Sequence, residues 1–134
     1  MKYLLDTDMC SYLARGRPEA VRERFETLSV GDLGMSSVTY GELAFGCQIH
    51  PNREALASLL ERLVELIPVL PLTQAVGLEY ARVRAHLKLK GTLIGPSDLW
   101  IAAHARAEGL TLVTNNVKEF KRVPHLSVEN WVDR

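Results

Sequence analysis

The amino-acid sequence predicts an α/β fold built on a mostly parallel sheet. Short apolar runs alternate with stretches of helical period, the pattern of strands joined by crossover helices. The runs at residues 3–5 and 110–113 are nearly continuous rather than alternating, as suits strands covered on both faces. Acidic and hydroxyl residues recur where a run gives way to a helical stretch. In a parallel sheet all such junctions share one edge, the edge where open α/β sheets build their sites.

The elements follow in order. Tyr3, Leu4 and Leu5 form a strand that Asp6 ends. Residues 9–13 have apolar positions at helical spacing, and Gly16 and Pro18 break them. Pro18 suits the first turn of a second helix, with Val21, Phe25 and Leu28 as its buried stripe. Gly31 and Gly34 bracket a loop. Residues 35–38 read as a strand, and Thr39 starts a helix with Tyr40, Leu43, Ala44 and Cys47 on one apolar face. Pro51-Asn52 opens another, marked by Leu56, Leu59, Leu60, Leu63, Val64 and Ile67. Residues 67–72 carry two prolines, which cannot donate to a ladder, so that strand belongs at an edge. Thr73 caps a long helix buried along Val76, Tyr80, Val83 and Leu87. After a loop from Gly91 to Gly95, Pro96-Ser97-Asp98 starts an alanine-rich helix that Gly109 ends. Residues 110–114 form a buried strand, Asn115-Asn116 a turn, Phe120 anchors a helical turn, and residues 126–128 are the last strand.

The chain has 134 residues, 47% of them hydrophobic and 24% charged, which predicts one globular domain spanning 1–134. No apolar run approaches the roughly 18 residues of a membrane span. Asp6 and Asp8 interrupt the start before a signal-peptide core could form, so the expected compartment is the cytoplasm. Cys10 and Cys47 make no CxxC pair and read as buried thiols. His50, His86, His104 and His125 are scattered, which argues against zinc. The net charge is zero, which argues against a general nucleic-acid coat but leaves room for an enzyme that grips RNA through a local basic patch.

The strand-to-helix junctions hold Asp6, Thr7 and Asp8; Thr39 and Glu42; Ser97 and Asp98; and Thr114, Asn115 and Asn116. Each has an ordinary structural explanation. Asp8 reads as an N-cap, and Thr39-x-x-Glu42 as a capping box. Asp98 sits in a first turn, where the helix dipole favours an anion. Asn115 and Asn116 suit a turn. Asp6 is hardest to explain this way, because a carboxylate ending a buried strand needs a cation or donors. Asp6, Glu42 and Asp98 gathered on one edge without a basic neighbour would repel one another and raise a pKa. A hard divalent cation, Mg²⁺ or Mn²⁺, resolves that crowding, and its chemistry with oxygen ligands is hydrolysis of a phosphodiester. The chain has no Walker loop and no GxGxxG.

In order, Tyr-Leu-Leu-Asp-Thr-Asp at 3–8, Ser-Ser-Val-Thr-Tyr-Gly-Glu-Leu at 36–43, Gly-Pro-Ser-Asp-Leu-Trp-Ile-Ala-Ala-His-Ala at 95–105 and Leu-Val-Thr-Asn-Asn at 112–116 form a specific set, continued by Glu-Phe-Lys-Arg-Val-Pro-His-Leu at 119–126. With them the chain resembles PIN-domain ribonucleases, and in particular the VapC toxins of bacterial toxin–antitoxin pairs. The resemblance implies a three-layer α/β/α fold with a parallel sheet of four to five strands, the strand carrying Asp6 lying centrally. It implies that Asp6, Glu42 and Asp98 are catalytic, metal-binding acids. The family's fourth acidic position falls on Asn116, a neutral departure that weakens the case for a second metal. Thr114 matches the hydroxyl that orients the first Asp. Glu119 could supply a further carboxylate, and Asp8 stands where Asn is common. The resemblance further implies a VapB-like antitoxin that covers the site and brings the pair to operator DNA. It also implies a homodimer, and as substrate a structured RNA such as tRNA, cut in a single-stranded loop. Candidate RNA contacts are Arg15, Arg17, Lys88, Lys90, Lys118, Lys121 and Arg122, each of which also reads as a solvated surface charge.

Two other functions compete. A phosphotransferase could use Asp6-Thr7-Asp8 as a nucleophile pair, and a trapped phosphoaspartate at Asp6 would reveal it. A non-catalytic PIN-fold module that binds a partner is favoured only by Asn116. Its mark would be the absence of Mg²⁺ or Mn²⁺ binding.

Overall fold

Leu4 and Leu5 are adjacent in the chain and wholly buried, yet they belong to different hydrophobic clusters. Successive strand side chains point to opposite faces, so both faces of this strand are covered. Leu112 and Val113 divide in the same way. The computed structural model describes residues 1–132. Its five strands are β1 (Tyr3–Leu5), β2 (Leu33–Ser36), β3 (Val69–Leu70), β4 (Thr111–Val113) and β5 (Val128–Glu129). They pair in parallel in the order β3-β2-β1-β4-β5. The Asp6 strand is central, and the proline-flanked strand lies at an edge, as expected.

Helices α1 (Thr7–Arg15), α2 (Glu19–Glu26), α3 (Ser37–Ile49) and α4 (Arg53–Leu66) connect β1 to β2 and β2 to β3. They supply Met9, Cys10, Val21, Cys47, Leu60 and Leu63 to one face. Helices α5 (Gln74–Leu89), α6 (Pro96–Glu108) and α7 (Val117–Phe120) supply Val83, Leu87, Leu99, Ala102 and Phe120 to the other. Burying each of these leucines contributes about 1.5–3 kcal/mol. The layers are therefore α/β/α. Strand order runs outward from β1 to β3, then resumes on the other side at β4. The reversal lies between β1 and β4, the point where ligands bind in such sheets.

Several expectations shift in register. β2 occupies Leu33–Ser36, two residues earlier than the sequence pattern indicates, and α3 begins at Ser37. Its N-cap is Ser36, whose hydroxyl accepts from the Val38 N–H at 3.1 Å. Thr39 and Glu42 are thus not a capping box. The buried side of α3 runs through Thr39 and Cys47, and Tyr40 is exposed. Leu59 of α4 is exposed as well. Pro18 is the N-cap residue of α2 rather than its first turn. Cys10 and Cys47 are free, buried thiols in one hydrophobic cluster, and burial together with the negative charge of Asp6 pushes the Cys10 thiol up, out of reactive range.

Candidate active site

Asp6 follows β1 with an extended backbone and is itself the N-cap of α1. Its Oδ1 accepts from the Met9 N–H at 3.0 Å. Asp8, the expected cap, is instead exposed on the first turn, near enough for its charge to act on Asp6. The Asp6 backbone N–H donates to Val113 O at 3.1 Å, which pins the residue to the β1–β4 seam. Thr114, at the end of β4 and fully buried, donates its hydroxyl to the Asp6 carboxylate. The Thr114 oxygen in turn accepts from the Asn116 N–H at 2.9 Å. Asp6 is only 5% exposed, and burial raises its pKa to about 6. The Thr114 and Met9 hydrogen bonds oppose that rise, while the charges of Asp8 and Glu42 add to it.

Glu42 comes from the second turn of α3. Its Oε1 accepts from the Thr7 hydroxyl at 2.5 Å, and Thr7 Oγ1 lies 3.3 Å from the buried Thr39 Oγ1. With the Thr7 hydrogen given to Glu42, Thr39 is the donor to Thr7. The sequence reading counts both threonines among the junction oxygens, but gives Thr7 no separate role and Thr39 only that of a cap.

Asp98 stands in the first turn of α6, which Pro96 opens. Its pKa is raised to about 7, first by burial, then by the charge and hydrogen bond of Glu119, then by the charges of Asp6 and Glu42. Glu119, on α7, accepts from the Gly95 N–H at 3.0 Å and from the side-chain amide of Asn116. Asn116 therefore acts here as a donor that fixes a carboxylate. Glu119 lies beside Asp98 in the neighbourhood where the family's fourth acid was expected.

Four carboxylates from four helix starts thus share one edge. Among the described residues no lysine or arginine forms an ion pair with any of them. They act on one another electrostatically, but they are not clenched. Among the described residues no three acid, histidine or cysteine side chains are gathered closely enough to hold an ion as they stand. The reason is local: Glu42 rests on Thr7, Glu119 on Gly95 and Asn116, and Asp6 on Met9. The donor set is all oxygen, and burial first, then neighbouring carboxylates, raise the pKa values of Asp6 and Asp98. That chemistry fits a hard divalent cation.

A groove of about 370 Å³ opens beside Glu42, lined by Ser11 and Arg15 of α1, Leu43 and Cys47 of α3 and Leu56, Leu59, Leu60 and Leu63 of α4. Another concavity, of about 430 Å³ between α2 and β5, holds none of the four acids. No helix among the described residues is long and apolar enough to cross a membrane.

A family model described as "PIN domain" matches residues 3–126. The chain is 40% identical over 131 residues to a "tRNA(fMet)-specific endonuclease VapC" of Shigella flexneri, covering 98% of each. It is 37% identical over 132 residues to "Ribonuclease VapC2" of Rickettsia felis, covering 98% of each. Among solved structures, VapBC2 of Rickettsia felis bound to a DNA fragment from its promoter superposes with a TM-score of 0.91 at 36% identity, covering 98% of this chain and 99% of that one. VapBC-1 of nontypeable Haemophilus influenzae gives 0.89 at 39% identity, covering 98% of each.

Proposed function

The chain belongs to the PIN-domain family, within it to the VapC ribonucleases, and on that premise we propose that it is a toxin that hydrolyses phosphodiester bonds in a structured RNA with the help of Mg²⁺ or Mn²⁺. The observation that carries the reading is that Asp6, Glu42, Asp98 and Glu119 lie within electrostatic reach of one another at the β1–β4 switch point, with the pKa values of Asp6 and Asp98 raised and no ion pair to a lysine or arginine among the described residues. Asp6, Glu42 and Asp98 would hold the cation, with Glu119 as a further oxygen donor and Asn116 as its support. Such an ion, when bound, supplies Lewis acidity toward a phosphate oxygen and a more acidic water. The protein's own part is orientation. Met9 N–H and Thr114 aim Asp6, Thr7 aims Glu42, and Gly95 N–H and the Asn116 amide hold Glu119 beside Asp98. The name of the Shigella flexneri relative favours a tRNA as substrate, cut where bases are unstacked. The solved complexes favour a VapB-like antitoxin as partner, with operator DNA reached through it. The apolar groove beside Glu42 is where a segment of that antitoxin would cover the acids. In this reading the chain acts as a single domain and a homodimer in the cytoplasm.

Asp6→Asn tests the reading cleanly, because asparagine caps a helix as well as aspartate does. We expect RNA cleavage to fall by roughly a hundredfold or more and toxicity to vanish, with circular dichroism unchanged. Mapping RNA 5′ ends after induced expression, with this variant as control, identifies the target. Full cleavage by a clean Asp6→Asn preparation would end the nuclease assignment. The neutral Asn116 favours the second reading, a PIN-fold module that only binds a partner. Calorimetry with Mn²⁺ separates the two, since that module would take up no cation.

A further inference from the structure

Five polar or charged side chains are buried among the described residues: Asp6, Ser36, Thr39, His104 and Thr114. Asp6 and Thr114 form the acid site, and Thr39 supports Thr7. Ser36 and His104 have no part in that scheme. Ser36 caps α3, and its Oγ also lies 2.8 Å from Nδ1 of His104, in the body of α6. The contact is a buried polar link between two helices that pack together. Glu42 lies six residues beyond one end of it on α3, and Asp98 six residues before the other end on α6.

Packing alone does not call for histidine here. Its neighbours on α6, Ala102, Ala103 and Ala105, are buried and apolar. His104 Nε2 is buried with no hydrogen-bond partner, an arrangement costlier than an apolar side chain of similar size. What histidine adds is one directed bond. Ser36 Oγ accepts the Val38 N–H and still has both a hydrogen and a lone pair to offer Nδ1, so it meets either tautomer of the ring.

We infer that Ser36 and His104 are a positioning pair, setting α3 against α6 so that Glu42 and Asp98 address the same cation. The inference rests on reading the acids as a cation site. Neither residue bonds a carboxylate; the link acts through the packing of α3 on α6.

The contact through Nδ1 decides the test. Asparagine can place an amide near the position of Nδ1, glutamine reaches toward Nε2, and leucine offers no polar atom. Mn²⁺ binding to the full chain is measured by electron paramagnetic resonance, with kcat and KM for RNA alongside. Circular dichroism checks each protein at the assay temperature. His104→Leu and His104→Gln are expected to weaken Mn²⁺ binding roughly tenfold and to lower kcat with KM for RNA unchanged. His104→Asn is expected to stay within about threefold of wild type. Wild-type Mn²⁺ affinity in His104→Leu, or an equal loss in His104→Asn, overturns the pairing. Should His104→Leu not fold, Ser36→Ala cuts the same bond from the other side, with Ser36→Thr as the hydroxyl-bearing rescue. A wild-type chain that binds no Mn²⁺ overturns the acid site itself and this inference with it. Wild-type binding that no variant alters overturns the pair alone.

Discussion

Asp6 serves the fold and the site with one carboxylate. As N-cap it holds the start of α1, while burial and its neighbours' charges raise its pKa from 3.8 to about 6. The folded chain therefore binds this proton more tightly than the unfolded chain does. The associated stability is fully present below pH 3.8 and is lost as pH rises through about 6. For the cation-free protein we expect a loss on the order of 3 kcal/mol from Asp6 across that window, read from denaturant titrations at pH 4, 5, 6 and 7. Saturating Mn²⁺ should restore it, because binding to the folded state is linked to deprotonation of the ligands. Asp6→Asn should flatten the profile, leaving the inactive variant more stable than wild type at neutral pH. Thr7 gives a second test at this scale. Thr7→Val removes the 2.5 Å hydrogen bond to Glu42 and should weaken Mn²⁺ binding about tenfold, while Thr7→Ser keeps it.

Most elements are legible from residue pattern alone, and the misplaced start of α3 has a local cause. Thr39-x-x-Glu42 imitates a capping box, and it draws the expected helix start beyond the true cap at Ser36. Ser36 and Ser37 are both plausible caps, and sequence alone does not say which hydroxyl meets the Val38 amide. Tyr40 shares the i, i+3, i+4, i+7 spacing of Leu43, Ala44 and Cys47, so its apolar type puts it on the expected buried stripe, yet it is exposed. Asp6, Glu42 and Asp98 can be found because junction position and side-chain type suffice to flag them. The Thr7–Glu42 and Ser36–His104 bonds join residues through tertiary packing, which local pattern does not encode, whereas the Asn116–Glu119 bond spans only three residues at the start of α7. Helix ends of the simpler kind are readable. Gly109 takes the left-handed conformation, with φ of 66°, that ends α6. Gly109→Ala should cost about 1 kcal/mol in a thermal or denaturant melt, because its strain is conformational and no atom crowds the added methyl.

At the scale of the whole molecule, zero net charge hides a local asymmetry. Lys118 and Lys121 lie on or just after α7, which brings Glu119 to the site. Arg122 Nη1 donates to Leu93 O at 3.3 Å, in the loop that leads to Asp98. These cations border the acids without pairing with them. Lys118→Ala with Lys121→Ala should weaken RNA binding and lower its salt slope by about 1 for each phosphate no longer neutralised, with kcat retained. Filter binding between low and physiological salt measures it.

The strand order also has a bearing on how the protein comes into being. Leu5 pairs with Val113, so β1, which meets β2 within about thirty residues, waits about a hundred for its partner on the other side. Asp98 and Thr114 arrive as late as that partner. A chain made only as far as α4 thus carries Asp6 and Glu42 without the Asp98, Thr114 and Glu119 that surround them in the fold.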